Sequence, residues 1–213
     1  SKIEKLIHLS SLGIEQATDS KYALSKLEGE QRLKKNFKNY VILKPSIVYS
    51  VDDNFTTNFM TLLSRLPIMP LYYGGRTKFS PIHVNDLTDI ICSVIQRDYY
   101  NLTVECIGPE TLSFKEILEH LLISINKKRL LIPLPYQIAS ISAKILQLLP
   151  KPLLTEDQLK LLKYDNIKSG NYKTNFDLGL DANRKFKIEI DKYSYNWRSG
   201  GQFAKKELIK KND

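Results

Sequence analysis

An α/β fold built on a parallel sheet is the architecture this sequence predicts, and three observations carry it. Leu6-Ile7-His8-Leu9-Ser10-Ser11 is a short apolar run of strand length, and Tyr40-Val41-Ile42-Leu43-Lys44-Pro45 is a second. Between them, residues 21–37 place Ala23, Leu24, Leu27 and Leu33 at roughly helical spacing, with Glu28, Glu30, Arg32, Lys34 and Lys35 supplying a polar face. A near-continuous apolar strand suits a parallel sheet covered on both faces. Strand, crossover helix and strand then make one βαβ unit.

The later elements follow in order. Pro45-Ser46-Ile47-Val48-Tyr49-Ser50 leaves the second strand, and Asp52 or Asp53 can cap a helix over 55–66. Pro67, Pro70, Gly74 and Gly75 predict a rigid apolar loop over 67–75. Residues 77–87 lead through a short strand to a helix over 86–96, with Asn85 or Asp86 as its cap. Leu102 to Ile107 reads as another strand, stopped by Gly108-Pro109. Ser113 and Glu116 form a capping box for a helix to Ile123.

Residues 130–149 are the most apolar stretch, but Pro133, Pro135 and Lys144 interrupt them. A membrane span needs about 20 predominantly apolar residues, so the expectation is a helix over 136–149 packed in a small lobe, with a membrane-apposed or partner-binding face as the alternative. Thr155-Glu156-Asp157 then starts a helix through Leu162. From Lys163 onward the chain is polar and lysine-rich, with aromatics at 193–203 expected to dock on the domain and a basic end after Ala204.

The 213 residues are enough to bury a real core, and 42% hydrophobic with 26% charged residues is a globular composition. A net charge of +9 suits anionic partners. The basic residues fall in dispersed pairs such as Lys34-Lys35 and Lys205-Lys206, without a continuous stripe, and predict no nucleic-acid binding. Cys92 and Cys106 have no CxxC spacing and sit among apolar residues, which predicts buried, reduced thiols of a cytosolic-type compartment. His8, His83 and His120 are scattered, so no metal site is expected.

Chemistry is concentrated near the first strand. Ser10 and Ser11 end it, and Tyr22 and Lys26, four positions apart, share one face of the following helix. That spacing lets an ammonium stabilise a phenolate beside a serine hydroxyl, which is an acid/base site in outline.

The run His8 to Ile14, the Tyr22-Ala23-Leu24-Ser25-Lys26 pair and the trailing Gly29-Glu30 resemble the active-site segment of the extended and atypical short-chain dehydrogenase/reductase (NAD-dependent epimerase/dehydratase) family. Pro45 to Ser50 is similar to that family's RPxxVYG turn, with Lys44 in place of the usual arginine and Ser50 in place of the usual glycine. Further similar phrases occur at Gly74 to Asp86, at Gly108 to Ile117, over 131–152 and at Arg198 to Phe203, so the resemblance covers most of the chain. Their order looks most like the branch that includes the nucleotide-binding accessory subunit of respiratory complex I and its bacterial relatives.

The resemblance implies the C-terminal part of a Rossmann-type doubly wound parallel sheet with a small, mostly helical substrate lobe. It divides the chain into the end of a dinucleotide-binding domain at 1–107, with 45–85 contributing to the substrate cleft, a helical lobe at 108–162, and a basic C-terminal tail at 163–213. The site it implies has Ser11, Tyr22 and Lys26 as catalytic residues. Ser10, Tyr22, Lys26, Pro45, Ser46 and Val48 would bind NADP or NAD, NADP being favoured.

The function implied is hydride transfer with a dinucleotide; the alternative is a non-catalytic NADP(H)-binding accessory or assembly subunit of a membrane-associated respiratory complex. Either is expected to be cytoplasmic or peripheral at the inner membrane face, on the matrix side in a eukaryote, without a transmembrane span. None of the nine glycines falls in the GxxGxxG pattern that opens such domains. The sequence is therefore expected to be the C-terminal portion of a longer reductase-like protein.

Overall fold

The computed structural model describes residues 3–134 and 155–203. The expected helix over 136–149 and the basic end after Ala204 lie outside the described residues. The first unit is as expected: strand β1 (Leu6–Leu9), helix α1 (Lys21–Asn36) and strand β2 (Tyr40–Pro45), with β1 and β2 parallel. Strand β3 (Val48–Tyr49), helix α2 (Thr56–Arg65) and strand β4 (Ile68–Leu71) follow. Strands β5 (Lys78–Phe79) and β6 (Ile82–His83) lead into helix α3 (Val84–Gln96), and strand β7 (Leu102–Cys106) returns to the sheet. Strand β8 (Leu112–Ser113), helix α4 (Phe114–Ser124), strand β9 (Leu130–Pro133) and helix α5 (Glu156–Leu161) come next. Strand β10 (Lys173–Thr174) and helix α6 (Phe186–Tyr193) complete the elements named here.

The main sheet has the order β1-β2-β7-β10, and each pairing in it is parallel. Val41, Leu43 and Val104 of this sheet pack with Leu87, Ile90 and Val94 of α3 in one core. A second, more aromatic core gathers Phe59 of α2, Phe114 and Leu118 of α4, Leu159 of α5 and Phe186 and Ile190 of α6. A third, small cluster gathers Ile14, Ala17 and Ala23 beside Leu161 and Tyr164.

Several elements depart from the sequence expectation. Residues 67–75 are not a plain loop: β4 pairs in parallel with β9, and a 3-10 turn follows with Tyr73, Gly74 and Gly75 all at positive φ. Two prolines in the run disguised a strand that pairs across sixty-odd positions, because edge strands tolerate proline. Helix α3 starts at Val84, and its cap is His83, whose Nδ1 accepts the Asn85 N–H at 3.2 Å. The expected cap Asp86 is buried instead in an ion pair with Arg184. The Asp53 carboxylate caps α2 from outside, accepting the Phe55 N–H at 2.6 Å and the Thr56 N–H at 2.5 Å.

Cys106 is buried as expected, and burial pushes its thiol up to about 12. Cys92 is exposed, because α3 buries Leu87, Ile90 and Val94 and Cys92 lies off that stripe. The stretch expected as a basic tail is built into the fold as far as Phe203. β10 extends the sheet beside β7, Tyr193 bonds Thr56 at 3.0 Å through its hydroxyl, and Trp197 Nε1 donates to Thr61 at 2.9 Å. Among the described residues no helix is long and apolar enough to cross a membrane.

Candidate functional site

The carboxyl ends of β1 and β2 deliver the site. Ser10 N–H donates to Leu43 O at 2.8 Å and Leu12 N–H to Pro45 O at 2.9 Å, so the two chain exits run side by side. Gly13 turns the first of them at φ +77°, where an added Cβ would lie 3.0 Å from Asp165 O. A residue with a side chain would meet both penalties there. The loop then reaches Ser20, whose Oγ accepts the Ala23 N–H at 3.2 Å and caps α1.

A carboxylate distant in sequence fixes this helix start. Asp157, in the first turn of α5, accepts the Ser20 hydroxyl at 3.0 Å and the backbone N–H groups of Lys21 and Tyr22 at 2.9 and 3.0 Å. Burial opposes its ionisation, yet the hydrogen bonds from Tyr22, Lys21 and Ser20 outweigh burial and hold its carboxyl below the usual range. An anion here also complements the positive end of the α1 dipole.

A cavity of about 560 Å³ opens beside Tyr22. Ser10, Ser11, Tyr22, Pro45, Ser46 and Val48, expected at a site from the sequence, all line it. Lys26 does not: its Nζ donates to Leu9 O at 3.1 Å and stands 5.9 Å from the Tyr22 ring centroid. Among the described residues, neither the Ser11 hydroxyl nor the Tyr22 phenol has a hydrogen-bond partner, and both are therefore available to a ligand.

Ser10 and Ser46 differ from Ser11 in this respect. The Ser10 hydroxyl donates to the Glu30 carboxylate, and the Ser46 hydroxyl donates to the Asn166 side-chain oxygen at 2.6 Å. Asn166 also accepts the Ile47 N–H at 3.1 Å and donates to Leu12 O at 2.6 Å, tying both strand exits together. Ser10 and Ser46 thus shape the wall while their hydroxyls serve the protein.

Lys44 joins a buried and an exposed carboxylate. Lys44, fully buried, pairs with Glu30 at 3.1 Å and also with Glu15. Burial would lower the Lys44 pKa, but the two carboxylates outweigh it and hold the ammonium above its ordinary value. The Glu30 of the Gly29-Glu30 phrase is therefore a partner of Lys44 and Ser10, which the sequence reading missed. A buried lysine in an apolar strand needs such a partner, and that need was the one available signal.

The parallel sheet with helices packed on it is a Rossmann-type α/β fold. Solved structures with this fold include the UDP-glucuronic acid 4-epimerase of Bacillus cereus, with a TM-score of 0.61 at 17% identity over 92% of this chain and 63% of that one. The UDP-glucose 4-epimerase of Thermus thermophilus, solved in complex with NAD, superposes with a TM-score of 0.62 at 15% identity over 92% of this chain and 64% of that one. No family model matches the sequence.

Its sequence relatives are subunits of respiratory complex I. NADH dehydrogenase [ubiquinone] 1 alpha subcomplex subunit 9, mitochondrial, of Arabidopsis thaliana is 25% identical over 210 residues, 93% of this chain and 52% of the relative. The mitochondrial NADH-ubiquinone oxidoreductase 40 kDa subunit of Neurospora crassa is 24% identical over 92% of this chain and 50% of its own length. The chain spans about half the length of these curated relatives. The resemblance read from the sequence is borne out in both fold and relatives.

Proposed function

We propose that this chain carries the acid/base side of a dinucleotide-dependent reductase- or epimerase-type site. The observation that carries the reading is the convergence of Ser11 and Tyr22 on one cavity, with Lys26 one helical turn beyond Tyr22. Tyr22 gives or takes the proton at the substrate oxygen, and Ser11 hydrogen-bonds the same oxygen. Lys26, fixed by Leu9 O, holds its positive charge 5.9 Å from the Tyr22 ring and would hold the ribose of a dinucleotide.

The wall residues Pro45, Ser46 and Val48 would hold the nicotinamide end of such a group. Pro45 and Val48 offer apolar surface, and Ser10 and Ser46, with their hydroxyls already committed, hold that surface in place. When bound, the dinucleotide supplies or takes the hydride. NADP is preferred to NAD in this reading, following the resemblance to the complex I accessory subunit.

The complex I relatives favour a second reading, a non-catalytic subunit that NADP(H) stabilises by binding only the folded state. Such a subunit would lie at the matrix face of the inner membrane, in keeping with the mitochondrial names of the relatives. One comparison separates the two. In the full-length protein Tyr22→Phe is expected to cut NAD(P)H-dependent turnover about 100-fold or more while leaving dinucleotide affinity unchanged. Turnover equal to that of the native protein would sink the catalytic reading. Tight NADPH binding without turnover, together with co-purification with complex I, is the result the second reading expects.

A further inference from the structure

The cavity beside Ser11 and Tyr22 combines polar and aromatic lining. Ser11 and Tyr22 line it with free hydroxyls, and Ile47, Phe55, Phe59 and Phe79 line it with hydrocarbon. Phe55 and Phe59 meet edge to face at 5.0 Å, and Phe55 lies 6.0 Å from Phe79, so the three rings form a continuous wall.

No lysine, arginine or histidine lines the cavity among the described residues. Its charged lining residues are both acids, and both already have partners. Asp157 holds the start of α1, and Asp165 accepts the Lys78 N–H at 2.8 Å. A diphosphate calls for cations or an array of N–H donors. This wall instead favours hydrocarbon, and a volume of about 560 Å³ is ample for a small molecule.

We infer that the site's ligand is a neutral medium-chain carbonyl compound or alcohol, its oxygen at Ser11 and Tyr22 and its hydrocarbon chain along Phe55, Phe59 and Phe79. Nucleotide-sugars, the ligands named with several of the solved neighbours, carry a diphosphate for which the described lining offers no cation. The inference rests on the reading of Ser11 and Tyr22 as the polar part of the site.

The test is titration of octan-2-one, decan-2-one and UDP-glucose into the full-length protein, with NADPH titrated separately. Decan-2-one is expected to bind one per chain and about fifteenfold more tightly than octan-2-one, since each buried methylene contributes about fourfold. UDP-glucose is expected neither to bind the site nor to displace the ketone. Phe55→Ser should weaken decan-2-one about tenfold or more, and Phe55→Leu should largely retain it. Should Phe55→Ser fail to fold, the chain-length series on the native protein still decides.

Absence of ketone binding, affinity independent of chain length, or UDP-glucose taking the site in place of decan-2-one would each overturn the inference. The NADPH arm separates the two readings. Ketone binding without NADPH binding leaves this inference standing and removes the dinucleotide reading, and NADPH binding without ketone binding does the reverse.

Discussion

Asp157 accepts the backbone N–H of Tyr22 at 3.0 Å across 135 positions of sequence. Through this bond the first turn of α5 sets the start of the helix that carries Tyr22 and Lys26. Helices α5 and α1 are thereby coupled at one carboxylate.

Asp157→Ala removes the acceptor for Ser20, Lys21 and Tyr22 together. The expected cost is about 1–2 kcal/mol of stability, the usual range for losing a helix cap with its charge. Asp157→Asn keeps one acceptor oxygen and should recover part of the loss. Urea unfolding of the three proteins checks this, and an Asp157→Ala midpoint equal to the native one would contradict it.

Lys44→Met leaves Glu30 buried without its cation. Removing one partner of a buried pair typically costs about 3–5 kcal/mol, and exposed Glu15 does nothing to compensate Glu30. Adding Glu30→Gln should return much of the loss, because an amide carries no charge to strand. Equal stability of the single and double variants by chemical denaturation would rule out this account.

Gly108 shows why one strand exit tolerates no side chain. A Cβ there would fall 1.8 Å from Pro81 O, a backbone atom that cannot swing aside. Overpacking of this kind costs about 1–3 kcal/mol or more, so Gly108→Ala is expected to lower the thermal midpoint by several degrees or to prevent folding. Gly170→Ala is a control for the assay, since nothing lies within 4 Å of its added Cβ, although its φ of +81° carries a strain of its own.

Acidification is expected to weaken the fold below neutral pH. His8, His83 and His120 all have pKa values lowered from 6.5, in each case first through burial. Between those lowered values and 6.5 the unfolded chain binds protons that the folded chain rejects. Stability is thus complete above 6.5 and is lost as pH falls through the folded-state values.

His83 gives this dependence a structural cause, because protonation would turn the Nδ1 acceptor of the Asn85 N–H into a donor. His83→Asn supplies a cap that does not titrate and should flatten the pH slope of the urea midpoint between about pH 7 and about pH 5. An unchanged slope would show that the other histidines govern it.

Much of the fold was legible because its long elements are periodic. Helix α1, strand β2 and the Ser113–Glu116 capping box are where the residue pattern puts them. Two-residue strands such as β10 are too short to have a period, so the sheet's fourth strand was hidden in a polar segment.

The cavity wall was legible through Ser10, Ser11, Tyr22, Pro45, Ser46 and Val48, since all of them follow directly from a strand end or a helix start. Asp157 and Asn166 were not legible. A carboxylate in a first helical turn reads as a partner of its own helix, and an asparagine between short elements reads as a turn. Nothing local distinguishes either from a residue that binds across more than a hundred positions.

The order β1-β2-β7-β10 leaves one side of β1 unpaired among the described residues, next to exposed Ile3, Leu9 and Leu24. A row of open amides and carbonyls flanked by apolar side chains is a template for any extended chain that meets it. Edge-to-edge association through that margin is the expected consequence when nothing covers it. Lysine at position 9 would be a gentler remedy than detergent, because it charges the margin and leaves the buried cores and the Tyr22 cavity as they are.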